Sequence, residues 1–117
     1  MYISGWVVPV PTAKKVEFKT WVEKAGAYFK ASGALEAVNG WGDFVPEGQM
    51  TSLPMAVKLE PGETVVFGWI TWPDKETAEK VMDAMREHPE FGMGGALAFP
   101  ADGRRIIFGT FTELNRA

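Results

Sequence analysis

The chain contains no cysteine and a single histidine. Without cysteine it can have no disulfide framework, no thiol nucleophile and no zinc or iron–sulfur site with cysteine ligands. The single histidine, His88, excludes a metal site built from several imidazoles. The acidic residues are not clustered in the way that an oxygen-ligated Mg²⁺ or Ca²⁺ site requires. We therefore expect no metal and no cofactor.

The chain also lacks a strong charge of either sign and any long hydrophobic run. Its net charge is −3, and its basic residues come together only as the pairs Lys14–Lys15 and Arg104–Arg105, whereas nucleic-acid binders present a basic stripe. No apolar run is as long as a membrane span, and the first residues lack the basic region and apolar core of a signal peptide. We expect a cytoplasmic protein with no nucleic-acid partner and no membrane partner.

Aromatic residues, in contrast, are abundant: they make up 13% of the 117 residues, with five Trp and eight Phe. The length is that of one domain, so we expect residues 1–117 to form a single domain. Runs rich in Val, Ile and aromatic residues predict strands, and apolar residues at helical spacing predict amphipathic helices. The predicted strands are residues 2–10, 34–44, 64–72 and 104–111, with one helix between Thr12 and Gly33 and another between Asp74 and Pro89.

Local signals mark the ends of these elements. Thr12 and Asp74 are predicted N-caps, and Gly33 is predicted to end the first helix in a left-handed conformation. Glycines at positions 40 and 42 indicate a bulge or bend in the second strand. Residues 51–59 are ambiguous between a short strand and a short helix capped by Ser52; the helix is preferred.

The order of elements is β-α-β-β-α-β, the ferredoxin-like arrangement, which predicts an α+β fold with a four-stranded antiparallel sheet and two helices on one face. The other face should be polar if it meets water. Instead, three strands are apolar on both faces, as in the third, where Phe67 and Trp69 alternate with Val66 and Ile70. Two helices cover one face only, so we expect a homodimer through the second face. The alternative is that loops cover it.

Several motifs along the chain resemble those of the YbaA-like family, an uncharacterised family of bacterial proteins. They are Trp41 with Asp43, VPEG at 45–48, SLPMAVK at 52–58, ETVVFGWI at 63–70, Trp72-Pro73 and DGRRIIFG at 102–109. The chain departs from the family pattern at Phe44 and His88, where an acid is expected, and at Gly68, where Ser is expected. The resemblance implies the dimeric α+β barrel fold, in which two ferredoxin-like sheets pack face to face, and it implies no activity.

Two positions are weak candidates for catalytic residues. Trp41 and Asp43 share a face if the strand is regular, which could form a pocket with an aromatic wall and a carboxylate base. The preferred interpretation is a core Trp and an acid at a strand end. Arg105 would lie on the face of Ile107, where a buried guanidinium needs a carboxylate partner and could bind an anionic group. The preferred interpretation is a solvated arginine at the strand end.

The remaining candidates concern ligand binding. Trp41, Trp69 and Lys58 are candidates for contacting a ligand, although the preferred interpretation of Lys58 is a solvated side chain. His88 could be a general base, but a solvated residue at a helix end is preferred. No group of residues points to chemistry more strongly than to structure.

The favoured function is that of a homodimer that binds a small organic molecule in an apolar, Trp-lined cavity between helices and sheet. One alternative is a non-catalytic regulatory or stress-related dimer module. Another, by fold analogy alone, is a cofactor-free monooxygenase- or isomerase-like enzyme. The sequence does not decide whether the protein is an enzyme.

Overall fold

The computed structural model describes residues 1–117 and shows a four-stranded antiparallel sheet with two long helices. The elements in chain order are β1 (Tyr2–Pro11), α1 (Lys15–Ala31), β2 (Glu36–Trp41), α2 (Leu53–Ala56), β3 (Glu63–Trp72), α3 (Lys75–Arg86) and β4 (Ile107–Thr112). Single 3-10 turns at Thr12–Lys14 and Gly103–Arg105 precede α1 and β4. The α+β class is confirmed. None of the helices combines the length and the apolar character needed to cross a membrane.

The strands lie in the order β2-β3-β1-β4, so the two longest strands occupy the centre of the sheet. β1 and β3 pair over ten residues each, from Tyr2 opposite Trp72 to Pro11 opposite Glu63. β4 pairs with the first half of β1, and β2 pairs with the second half of β3. This register decides which side chains from distant parts of the chain become neighbours.

Both long helices pack against the same face of the sheet. Ile70 and Trp72 of β3 form one buried cluster with Phe29 of α1 and Val81 of α3. At the other end of α1, Phe18 packs with residues of β1 and β3 in a second cluster. The Trp72 ring is fully buried, and its Nε1–H donates to Ser4 Oγ at 3.0 Å. That bond gives a buried indole N–H the partner it needs.

Three predicted local signals are confirmed. The Asp74 carboxylate accepts from Thr77 N at 2.7 Å and caps α3, and Ser52 Oγ accepts from Met55 N at 3.1 Å and caps the short α2. Gly33 follows α1 with a φ of 120°. The predicted cap at Thr12 is wrong. The 3-10 turn delays the start of α1 to Lys15, and the Thr12 hydroxyl contacts Thr64 Oγ1 at 2.7 Å instead.

Two strands are shorter than predicted. β2 ends at Trp41 and contains no bulge, because Gly40 pairs with Phe67 in unbroken register. Glycine at position 42 lets its backbone lie close to that of β3, since a Cβ at this position would be 2.8 Å from Val65 O. β4 begins at Ile107 and not at Arg104. The Asp102 carboxylate accepts from Arg104 N and favours a 3-10 turn where the strand was expected.

We predict that Ser4→Ala lowers the free energy of unfolding by about 1–3 kcal/mol, because it leaves the buried Trp72 N–H without an acceptor. The matched change is Thr110→Ala, which removes the exposed acceptor of the Tyr2 hydroxyl and should cost less than about 1 kcal/mol. Urea unfolding of the two variants measures the difference. Equal losses would contradict the importance assigned to the Ser4–Trp72 bond.

Candidate functional site: an apolar cavity between the helices and the sheet

A cavity of about 150 Å³ lies between the helix-facing side of the sheet, α1, α3 and the loop that precedes β4. Fourteen of its sixteen lining residues are hydrophobic. The lining consists of Trp6, Val8, Phe18, Trp21, Val22, Ala25, Gly26, Phe29, Ala37, Asn39, Ile70, Met82, Met85, Phe99, Ile106 and Phe108. The cavity lies between the helices and the sheet, and its lining includes neither Trp41 nor Trp69, the two aromatic candidates for ligand contact.

The floor of the cavity is one row of residues across all four strands. Phe108, Trp6, Gly68 and Asn39 are register partners on β4, β1, β3 and β2. The Trp6 indole extends over Gly68, and its Nε1–H donates to Asn39 Oδ1 at 2.9 Å. A Cβ at Gly68 would overlap both atoms of that hydrogen bond. Only glycine at this position leaves room for the indole to reach from β1 to β2.

The opposite wall is held by a second indole. Trp21 of α1 donates its Nε1–H to Leu97 O at 3.1 Å, which connects the helix to the loop before β4. The same ring makes edge contacts with Phe91 and Phe99, at centroid distances of 5.6 and 4.9 Å. These contacts keep the loop over the cavity.

His88 stabilises the beginning of the loop between α3 and β4 through hydrogen bonds and ring contacts. Its Nδ1 accepts from the backbone N–H groups of Glu90 and Phe91, at 3.1 and 3.3 Å. The ring stacks on Phe91, with centroids 4.8 Å apart, and meets Tyr28 edge-on at 4.6 Å. The interpretation of His88 as a solvated helix-end residue is therefore wrong. The side chain is half-buried and serves as an acceptor for the turn after α3.

Asn39 is the only amide side chain in the lining, and no lining residue is ionisable. The indole N–H groups of Trp6 and Trp21 already have protein acceptors. Because an indole N–H only donates, Asn39 must present its oxygen to Trp6, and its Nδ2 is left with two donor hydrogens. No protein group accepts from Nδ2, and because every fully buried side-chain nitrogen and oxygen has a partner, this atom is accessible to solvent. The Nδ2 atom is thus the free polar group of the site.

Trp41 and Asp43 do not line this cavity. Trp41 is half-buried at the end of β2, beside a groove between α1 and β2, and Lys15 Nζ lies 5.3 Å from its ring centroid. Asp43 follows the end of the strand, so strand alternation does not apply to it, and its side chain is exposed. The structure therefore does not place the Asp43 carboxylate in a pocket with the Trp41 ring.

Trp69 and Lys58 are also separated from the cavity. Trp69 lies on the face of the sheet away from the helices, and its Nε1–H donates to Glu36 Oε1 at 3.3 Å. Lys58 has an exposed side chain and a left-handed backbone with a φ of 52°. Its carbonyl oxygen, not its amine, makes the specific contact, since it accepts from Arg105 Nη1 at 3.0 Å.

Arg105 is the centre of an ion-pair cluster. Its guanidinium forms two parallel bonds to Glu63, at 2.7 and 2.6 Å, and its Nε donates to Asp102 at 3.1 Å. Nη2 lies 3.3 Å from Glu60 Oε2, and Nη1 also donates to Lys58 O. The Arg105 side chain is 18% exposed and that of Glu63 is 9% exposed. The interpretation of Arg105 as solvated is wrong, and the expectation that a buried guanidinium needs a carboxylate partner is met.

The cluster occupies most of the Arg105 guanidinium, because four of its five N–H groups donate to Glu63, Asp102 and Lys58 O, and Nη2 also lies in an ion pair with Glu60. Hydrogen bonds from Arg105 hold the pKa of Glu63 below its ordinary value. Bonds from Arg104 and then Arg105 lower the pKa of Asp102 to about 2. Glu63, followed by Asp102, raises the pKa of Arg105. The cluster joins the segment before β3 to the turn before β4, which is a structural role.

The fold and cavity define a small α+β protein with an apolar site and no ionisable group in it. The sequence belongs to the family described as "Protein of unknown function (DUF1428)", whose pattern matches residues 1–102. The chain is 40% identical over 113 residues to "Uncharacterized protein YbaA" of Escherichia coli strain K12, covering 97% of this chain and 96% of the relative. The relative of the same name from Shigella flexneri has the same identity and coverage. The resemblance stated from the sequence motifs is confirmed.

We predict that Arg105→Gln reduces the loss of stability in acid. Glu63 and Asp102 have depressed pKa values in the folded protein, so the unfolded chain takes up protons first as the pH falls. The contribution of Glu63 is complete above its ordinary pKa of 4.5 and is lost as the pH falls through its lowered pKa, and the contribution of Asp102 is complete above 3.8 and is lost as the pH falls toward its pKa of about 2. Without Arg105, the free energy of unfolding should drop less between about pH 6 and about pH 3.

Urea unfolding at the two pH values measures this drop. Arg86→Gln is the matched control, because it breaks an exposed pair with Asp83 at 3.8 Å and should leave the drop close to that of the wild type. If the free energy of unfolding of Arg105→Gln falls between the two pH values as much as that of the wild type, the cluster does not set the acid response.

Proposed function

We propose that the protein is a homodimer of ferredoxin-like subunits, packed sheet to sheet as a dimeric α+β barrel, in which each subunit binds a small organic molecule. The cavity between the helices and the sheet carries this proposal. Its volume is about 150 Å³ and its lining is almost wholly apolar. An engineered cavity of about 150 Å³ lined by apolar side chains stays dry and binds benzene. A ligand with a single six-membered ring therefore matches the space.

The lining supports binding in preference to catalysis. A general acid or base must lie within hydrogen-bond reach of the reacting atom, and the sixteen lining residues include no ionisable side chain. The two candidate catalytic residues are elsewhere, with Asp43 in an exposed loop and Arg105 bound to the carboxylates of Asp102 and Glu63. Two indoles and an amide supply area and orientation.

The face of the sheet away from the helices supports the dimer. This open face is formed by Ile3, Val7, Phe67, Trp69, Ile107 and Phe111. Loops do not cover it, since Phe67 is 49%, Ile107 43% and Phe111 57% exposed. A contiguous apolar patch of this kind is typical of an interaction surface. Two copies of this apolar face can cover each other in a two-fold dimer, so no other partner is needed to bury it.

The total solvent-exposed area of the chain also supports a dimer. The chain exposes 7752 Å², whereas a monomeric protein of this mass is expected to expose about 6,300 Å². Only 17 of 117 residues are buried. The excess is comparable with the area that each subunit contributes to a stable dimer, about 800 Å² or more.

We predict that the wild type has twice the chain mass of 12.9 kDa at micromolar concentration and that Phe67→Asp has the single-chain mass. The substitution places a charge in the centre of the open face, where pairing would bury it without a partner. Size-exclusion chromatography with light scattering measures both masses.

The matched control is Val16→Asp, which places the same charge at an exposed position on α1, in the helix layer. This variant should remain a dimer. A wild type with the mass of one chain would contradict the dimer, and so would a Phe67→Asp variant that stays dimeric.

We predict that benzyl alcohol binds saturably and changes the fluorescence of Trp6 and Trp21, which line the cavity. Ala37→Leu should weaken this binding at least about tenfold, which is about 1.4 kcal/mol, because the larger side chain fills the ligand's space. Fluorescence titration and calorimetry measure the affinity.

The matched control is Ala84→Leu, the same substitution at an exposed position of α3. It should bind benzyl alcohol as the wild type does. Equal loss in both variants, or no saturable binding to the wild type, would contradict a ligand site in the cavity.

A further inference from the structure

The cavity approaches the surface on two sides. Between α1 and β2, Val22 and Asn39 line both the cavity and the two surface grooves beside it. Between α3 and β4, Met82 and Phe108 line both the cavity and a surface depression. A ligand with a polar end must direct that end to one of these two sides, because the centre of the cavity is apolar.

The charges on the two sides have opposite signs. The grooves between α1 and β2 carry Lys15, Lys19 and Lys30 with one acid, Glu23. The depression between α3 and β4 carries Glu79 and Asp83 with one base, Arg86. In a chain with a net charge of −3, the α1–β2 side is therefore the one that favours an anion.

The free hydrogen-bonding group is also on the basic side. Asn39 is on β2, and its Oδ1 is occupied by the Trp6 indole. Its Nδ2 can only donate, so the partner it accommodates is an acceptor. A carboxylate is such an acceptor, and at the mouth of the cavity it would keep part of its hydration.

Building on the proposed function, we propose that the ligand is a small amphipathic monocarboxylate. Its apolar body occupies the cavity, and its carboxylate lies at the α1–β2 mouth. There it accepts from Asn39 Nδ2, in the field of Lys15, Lys19 and Lys30. This arrangement places the charge outside the apolar lining and the ring inside it.

The first test compares benzoate with benzyl alcohol, two probes that share the ring and differ in charge. Benzoate should bind about tenfold more tightly to the wild type at low salt, an advantage that falls as salt is added. Asn39→Asp keeps an oxygen acceptor for the Trp6 N–H, removes the Nδ2 donors and adds a negative charge. It should weaken benzoate binding at least about tenfold and change benzyl alcohol binding less than about threefold.

The second test removes the lysines at the mouth. Lys15→Gln with Lys19→Gln should weaken benzoate binding and leave benzyl alcohol binding unchanged. The control is Lys75→Gln with Lys80→Gln, which removes the same charge from exposed positions of α3 and should preserve most of the benzoate preference. Benzyl alcohol binding in every variant reports that the cavity is intact.

The outcomes separate this inference from the function on which it rests. If both probes bind alike and Asn39→Asp affects neither selectively, the carboxylate assignment is overturned while the cavity site stands. Tighter binding of benzyl alcohol overturns the assignment in the same way. If neither probe binds saturably, both the proposed function and this inference fail.

Discussion

The indole of Trp6 lies across Gly68 and donates its N–H to Asn39 on the far strand. This hydrogen bond spans three strands and determines the shape of the helix-facing side of the sheet. A side chain at Gly68 would displace the indole, and a residue without a side-chain oxygen at position 39 would leave a half-buried donor without its acceptor. The bond also orients the Asn39 amide, so that its nitrogen is free.

The two faces of the sheet are incomplete in different ways. On the helix side, α1 and α3 share the cover with an aromatic loop held by Trp21 and His88, and a cavity remains between them. On the other side, no element covers the apolar rows. Apolar surface in contact with water is costly at about 25 cal/mol per Å². A proposed ligand and a proposed second subunit would each remove such surface, so binding and assembly would both add to the stability of the protein.

Much of the fold was predictable because its determinants are local. Asp74 and Ser52 cap helices through residues three positions away, and the alternation in β3 is contained within ten residues. Thr12 was wrongly predicted as an N-cap because its hydroxyl forms a hydrogen bond with Thr64 of β3, which is far away in the sequence. The start of β4 was misplaced because Asp102 stabilises a turn where a strand pattern was visible.

The site was less predictable because it depends on register. The sequence pattern singled out Trp41 and Asp43, two positions apart, but β2 ends between them. The tryptophans of the cavity are Trp6 and Trp21, which become neighbours of Asn39 and Leu97 only through tertiary packing. Apart from Asp102, the partners of Arg105 lie among residues 58–63, more than forty positions earlier. No spacing rule in the sequence indicates these pairs, although the expectation of an apolar, Trp-lined space between helices and sheet agrees with the cavity.

The central claim is that an apolar space large enough for a small ligand exists over the Trp6–Gly68–Asn39 row. A crystal held under xenon pressure tests it most directly, since xenon enters apolar cavities of this size. The account predicts one strong xenon peak in each copy of the chain, between Trp6, Trp21 and Met82. A cavity filled by ordered waters, or side chains collapsed into the space with no xenon bound, would contradict it.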